Sequence, residues 1–125
     1  MAAFTSGLAQ SLSGKVLERF ERYGRIDTQA ARDRTGSPST PGQLVLGRLL
    51  VEELTAIGLA DAALDDNGYV TATLPATGAA PTSTIGLIAH LDVSPDAPAA
   101  GVEPLVHLAY DGCVIALPNS GTVLD

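Results

Sequence analysis

No lysine or arginine follows Arg48, and the sequence has no tryptophan, one cysteine and two histidines. All seven basic residues lie between Lys15 and Arg48. Residues 1–48 therefore sum to about +3 and residues 49–125, with ten acids, to about −10. A chain with so little basic surface cannot displace phosphate counterions along a nucleic acid, so nucleic acid is excluded as a partner. With His90, His107 and Cys113 as the whole supply of nitrogen and sulfur ligands, a zinc finger is impossible and a multi-histidine catalytic zinc site cannot be complete. A lone cysteine forms no internal disulfide. No run approaches the roughly 18 apolar residues that span a bilayer, and Met1–Gln10 lacks the basic and apolar regions of a signal peptide. These absences describe a cytoplasmic protein with no membrane partner.

What is present is globular. Of 125 residues, 46% are hydrophobic and 17% charged, which suits one domain or a piece of one. Residues 1–13, small and polar, read as a flexible tail. From Gly14, Val16, Leu17, Phe20 and Tyr23 recur at helical spacing up to Gly24, and Glu18, Arg19, Glu21 and Arg22 read as a solvated face. Asp27–Thr40 is a polar loop. Thr40-Pro41-Gly42-Gln43 then spells a capping box: a hydroxyl at N-cap, proline at N1 and glutamine at N3. Leu46, Leu49, Leu50, Leu54 and Ile57 form the expected buried stripe, and Gly58 a left-handed stop.

Asp65-Asp66-Asn67-Gly68 between short strand-like runs predicts a hairpin. Residues 75–83 form a Pro/Ala/Thr/Gly connection. Thr84–Leu91 reads as a near-continuous apolar strand covered on both faces, 92–104 as loop, and 105–108 and 114–117 as a last pair of strands. The inventory is α/β with a mixed β-sheet flanked by helices, and incomplete: the buried strand lacks a parallel neighbour joined through a helix.

The chemistry concentrates at His90-Leu91-Asp92, at the carboxyl end of that strand. Residues i and i+2 on a strand share a side, so imidazole and carboxylate can face one site. A neutral imidazole ligates a divalent metal, and a neighbouring carboxylate orients the ring. A histidine merely hydrogen-bonded at a strand end would show the same three residues. His107 reads as a surface or capping residue and Cys113 as a small core residue. Ser94 and Ser120 lack the Gly-x-Ser-x-Gly setting of a nucleophile elbow.

Several blocks in order carry a more specific signal. Glu18–Tyr23 with Ile26–Gln29, Pro38–Gln43, Asp66–Pro75, Ile85–Asp96 and Tyr110-Asp111-Gly112 together resemble the opening of the M20 metallopeptidase family, in its tripeptide-aminopeptidase (peptidase T) branch. The resemblance spans roughly residues 15–118. It implies that residues 14–125 are the N-terminal part of a zinc-peptidase catalytic domain whose complete form holds two zinc ions. It assigns His90 to metal ligation and Asp92 to holding that histidine. The implied reaction removes the N-terminal residue of a small peptide, through a metal-activated water and a glutamate; a homodimer of the complete enzyme is also implied. The family's bridging aspartate, glutamate pair, next carboxylate and second histidine belong after Asp125, and Cys113-Val114 stands where Gly-Asp commonly follows. The 125 residues alone are therefore expected to bind metal weakly and hydrolyse nothing. The same His90–Asp92 pair would fit another M20 branch, a dipeptidase or deacylase, and a non-catalytic remnant or interaction module is the reading of a different class.

Overall fold

The chain, seen in a computed structural model that describes residues 4–78, 83–108, 110–118 and 120–125, runs α1 (Gly7–Gly24), α2 (Pro41–Ala56), β1 (Ala63–Leu64), β2 (Val70–Thr71), β3 (Ile115–Ala116) and β4 (Val123–Leu124). The composition is mixed α/β as expected. The single mixed sheet is not formed: β1 pairs β2 and β3 pairs β4 in two separate antiparallel pairs. Among the described residues no helix is long and apolar enough to cross a membrane.

Helix α1 starts at Gly7, inside the stretch read as a tail, whose first three residues lie outside the described ones. The cause is local. Ser6 is extended and its Oγ accepts the Ala9 N–H at 3.1 Å, an N-cap. Leu8 and Leu12 also continue the four-residue spacing of Val16 and Phe20. No residue of α1 is buried, and Leu8, Val16 and Phe20 are each more than 60% exposed. Its charged face is not wholly solvated either. Arg19 Nε donates to Glu53 Oε2 of α2 at 2.9 Å, Tyr23 Oη to the same oxygen at 2.5 Å, and Arg22 to Oε1, while Arg22 also bonds Glu18 at 3.1 Å.

Partial burial opposes charge on Glu53, but the hydrogen bonds from Tyr23, Arg22 and Arg19 outweigh it and hold the carboxyl below its ordinary range. The undocked helix pair thus binds a proton more readily than the docked pair. The α1–α2 contact should be complete at neutral pH and lost as pH falls below about 4 through the depressed value. An acid titration following the Tyr23 ring resonances checks this, with Glu53→Gln as the variant that no longer responds.

At α2 the elements of the capping box are rewired. Thr40 occupies the N-cap with Pro41 following, but its hydroxyl donates to the Gln29 carbonyl at 2.9 Å instead of capping the helix. Gln43 reaches one residue further back: Oε1 accepts the Ser39 N–H at 3.0 Å, and Nε2 donates to Ser39 Oγ at 2.9 Å and Thr28 O at 3.4 Å. The helix start is fastened to the loop before it. At the other end, Gly58 (φ +101°) closes a Schellman motif, with the Leu59 N–H on Leu54 O and the Gly58 N–H on Thr55 O. Leu46 is buried and Leu49, Leu50 and Leu54 half-buried. Ile57, beyond the last turn, is exposed, so the predicted stripe stops short of it. A Cβ on Gly47 would meet Leu64 Cδ1 at 2.8 Å, so the hairpin lies flush on α2.

The hairpin forms with register Ala63↔Thr71 and Leu64↔Val70. Asn67 and Gly68 are not its two central residues. The Gly68 N–H donates to Asp65 O at 3.1 Å, and Gly68 (φ +88°) serves as the bulge residue of a longer loop. Asp65 Oδ1 accepts the Asn67 and Tyr69 N–H groups at 3.0 and 2.8 Å. Asp65→Ala is expected to cost about 1 kcal/mol, read as faster amide exchange at Leu64 and Val70.

Three further expectations are corrected. Thr84–Leu91 pairs with nothing among the described residues, and Ile85, Leu87 and Ile88 are 83%, 95% and 100% exposed, because no described strand or helix covers them. The 105–108 segment is not a strand; Ile115–Ala116 pairs with Val123–Leu124 across a turn at Gly121 (φ +66°), closed by the Leu117 N–H on Thr122 O. Cys113 is exposed, not core, in a turn where its N–H donates to Asp111 Oδ1 at 2.9 Å. Of the 75–83 connection, residues 79–82 lie outside the described ones. Accessible surface totals 10011 Å², against about 6,200 Å² for a closed fold of 12.7 kDa.

Candidate metal centre

The segment carrying His90 and Asp92 is tied to the rest of the chain through residues 93–97. Val93 forms a parallel bridge with Gln29: its N–H donates to Thr28 O at 3.3 Å and its carbonyl accepts the Ala30 N–H at 3.0 Å. Thr28 is buried, and its carbonyl also receives Gln43 Nε2. Gln29 Nε2 adds a bond to Ala97 O at 2.7 Å. The start of α2, the loop 28–30 and residues 92–97 thus form one connected unit, and His90 projects from its edge.

The structure brings His90 and Asp92 together, as the i, i+2 relation predicts. His90 Nδ1 lies 2.6 Å from the Asp92 main-chain carbonyl and 3.3 Å from Asp92 Oδ1. A carbonyl oxygen only accepts, so Nδ1 carries the proton of the neutral ring and Nε2 keeps its lone pair. That tautomer is the one metal ligation through Nε2 requires. The expected orienting group was the carboxylate; the main chain of the same residue is the nearer acceptor. His90 is 82% exposed and the Asp92 side chain 47%.

The surroundings do not complete a metal site. Among the described residues no group of three or more His, Cys, Asp or Glu side chains converges. The chain's own donors therefore fit one nitrogen ligand with its orienting partner, not a closed coordination shell. The next acid in sequence after Asp92, Asp96, is engaged by Arg32 and by Ser94 Oγ at 2.8 Å. His107 is exposed and stands in no such group with His90, and Ser94, held by a carboxylate with no imidazole partner, is not an activated nucleophile. A shallow cavity of about 240 Å³ opens beside α2, lined by Asp27, Gln29, Ala30, Thr40, Pro41 and Gly42. The supporting roles of Thr28 and Gln43 escaped the reading of single residues. The spacing reads Gln43 as N3 of a cap, and a buried amide bonded back to the preceding loop has no periodic signature.

No protein-family model matches the chain. Curated relatives do. Peptidase T of Bacillus cereus strain Q1 is 48% identical over 107 residues, 86% of this chain and 26% of that protein. Peptidase T of Bacillus thuringiensis strain Al Hakam and of Bacillus anthracis strain A0248 are each 48% identical over 103 residues, 82% of this chain and 25% of theirs. The chain spans about a quarter of the length of the curated relatives it matches.

Proposed function

Because the chain is homologous to peptidase T along 86% of its own length, we propose that it supplies the N-terminal part of a cytoplasmic, zinc-dependent tripeptide aminopeptidase, contributing one metal ligand and that ligand's orienting partner. The observation that supports this reading is the His90–Asp92 geometry: Nδ1 committed to Asp92 and Nε2 left free, on a segment anchored to Gln29 and Thr28. A bound zinc supplies a water that is nucleophilic near neutral pH and polarises the peptide carbonyl. His90 gives its Nε2 lone pair and Asp92 keeps the ring from rotating or changing tautomer. The apolar 84–91 run is then a strand of the M20-type catalytic sheet, covered by the sequence that follows in the relatives. The substrate is a tripeptide that loses its N-terminal residue.

The test pairs this chain with the remaining three quarters of a Bacillus peptidase T, co-expressed, and measures zinc-dependent release of the N-terminal residue from tripeptides. Release from tripeptides but not from dipeptides or acylated amino acids supports the reading. Preference for either of the latter moves the chain to another M20 branch, and a complex that forms but hydrolyses nothing makes it a non-catalytic module. In the active complex, Asp92→Ala should weaken zinc binding by about tenfold, measured by competition with a chelating dye, the low end for an outer partner because the main-chain acceptor for Nδ1 survives the substitution.

A further inference from the structure

Glu53 is used by neither the metal centre nor the hairpin, yet its carboxylate accepts hydrogen bonds from three different side chains of another helix. Its two oxygens take Arg19, Arg22 and Tyr23 from α1, and its side chain is only 18% exposed. Among the described residues, every side-chain hydrogen bond from α1 to another element ends on this one carboxylate. Apolar support is slight: among the described residues α1 buries none, and the exposed members of its apolar stripe run from Leu8 to Phe20. By contrast α2 is held by other means. Gln43 ties it to Ser39 and Thr28, Leu46 is buried, and Gly47 rests against Leu64.

We propose that α1 is a latched arm, held against α2 by the Glu53 carboxylate alone, and that it can leave while α2, the β1–β2 hairpin and the Gln29–Val93 bridge stay folded. The latch sits at one end of the arm. Arg19, Arg22 and Tyr23 all lie in the last two turns of α1, so the free N-terminal half has no anchor of its own and swings about residues 25–27 once the carboxylate is lost. The contact is also imperfect. Arg22 Nε is buried without a hydrogen-bond acceptor, which opposes docking and leaves the closed state only moderately favoured.

Native-state hydrogen exchange on the whole chain reads this directly. Glu53→Ala should raise the exchange of α1 amides in residues 15–24 by about tenfold, while amides of α2 and the hairpin change less than twofold. Arg22→Gln, on the arm itself, leaves the Arg19 and Tyr23 bonds to Glu53 and should accelerate the same α1 amides to a smaller extent, again without touching α2. The double variant should match Glu53→Ala alone, because the Arg22 bond is already lost once the carboxylate is removed. Equal acceleration in α1 and α2 for either variant overturns the proposal, since Glu53 would then support the whole fold. Unchanged α1 exchange in both variants overturns it as well.

Discussion

His90→Ala, in the chain completed by the rest of a peptidase T, should lower kcat/KM for a tripeptide by about a thousandfold or more, since the metal's contribution to such hydrolyses is worth several kcal/mol at about 1.4 kcal/mol per tenfold. The reasoning runs through the tautomer. With Nδ1 protonated toward Asp92, Nε2 is the ring's free donor, and alanine offers no substitute. Zinc stoichiometry measured on the purified complex should fall together with activity, and the complex itself should still assemble, because His90 is 82% exposed and supports no packing. Full activity in His90→Ala would remove this residue from the metal centre. The contrast with the roughly tenfold effect of Asp92→Ala separates a ligand from the group that holds it.

The second large effect lies away from the imidazole, at Gly42. A Cβ there would overlap the Asp27 carbonyl, backbone against backbone, with no flexible side chain able to yield. Gly42→Ala must push the first turn of α2 off residues 27–29, and with it the Thr40–Gln29 and Gln43–Thr28 hydrogen bonds. Overpacking of this kind costs about 1–3 kcal/mol, and the unrelieved contact places this case at the upper end. The amide protons of Ala30 and Val93, which close the bridge to the metal-centre segment, should exchange about 100-fold faster. Gly36→Ala, where an added Cβ meets nothing within 4 Å, serves as the neutral control. Equal behaviour of the two variants would mean that the start of α2 does not position the segment bearing His90.

These two sites also mark what the sequence could and could not reveal. His90 and Asp92 are legible because i, i+2 spacing survives even where no sheet forms; adjacency along the chain suffices to bring the groups together. Helix α2 is legible for the same reason, since Pro41 and Gly58 act within one turn of themselves. Failures come where a residue's state depends on distant neighbours. The Ile85–Ile88 run has the composition of a covered strand, but composition cannot supply the partners that would cover it, and no described strand or helix does. Residue type alone places Cys113 in the core, whereas a turn held by Asp111 leaves it exposed. Ser6 gives little sign of a helix start because glycine and serine dilute the Leu8 and Leu12 spacing.

The surface area carries one more consequence, for cooperativity. A closed fold of this mass would hide nearly 4,000 Å² that this chain leaves in water, and the force that makes small domains unfold in a single step scales with hidden apolar area. What holds these elements is mostly local: the Ser6 cap, the Schellman turn at Gly58 and the Asp65 loop, each worth about 1 kcal/mol. Supports of that size act within their own element and transmit little to the next. The chain on its own is therefore a set of semi-independent parts, and all-or-none behaviour begins only when a common core joins them.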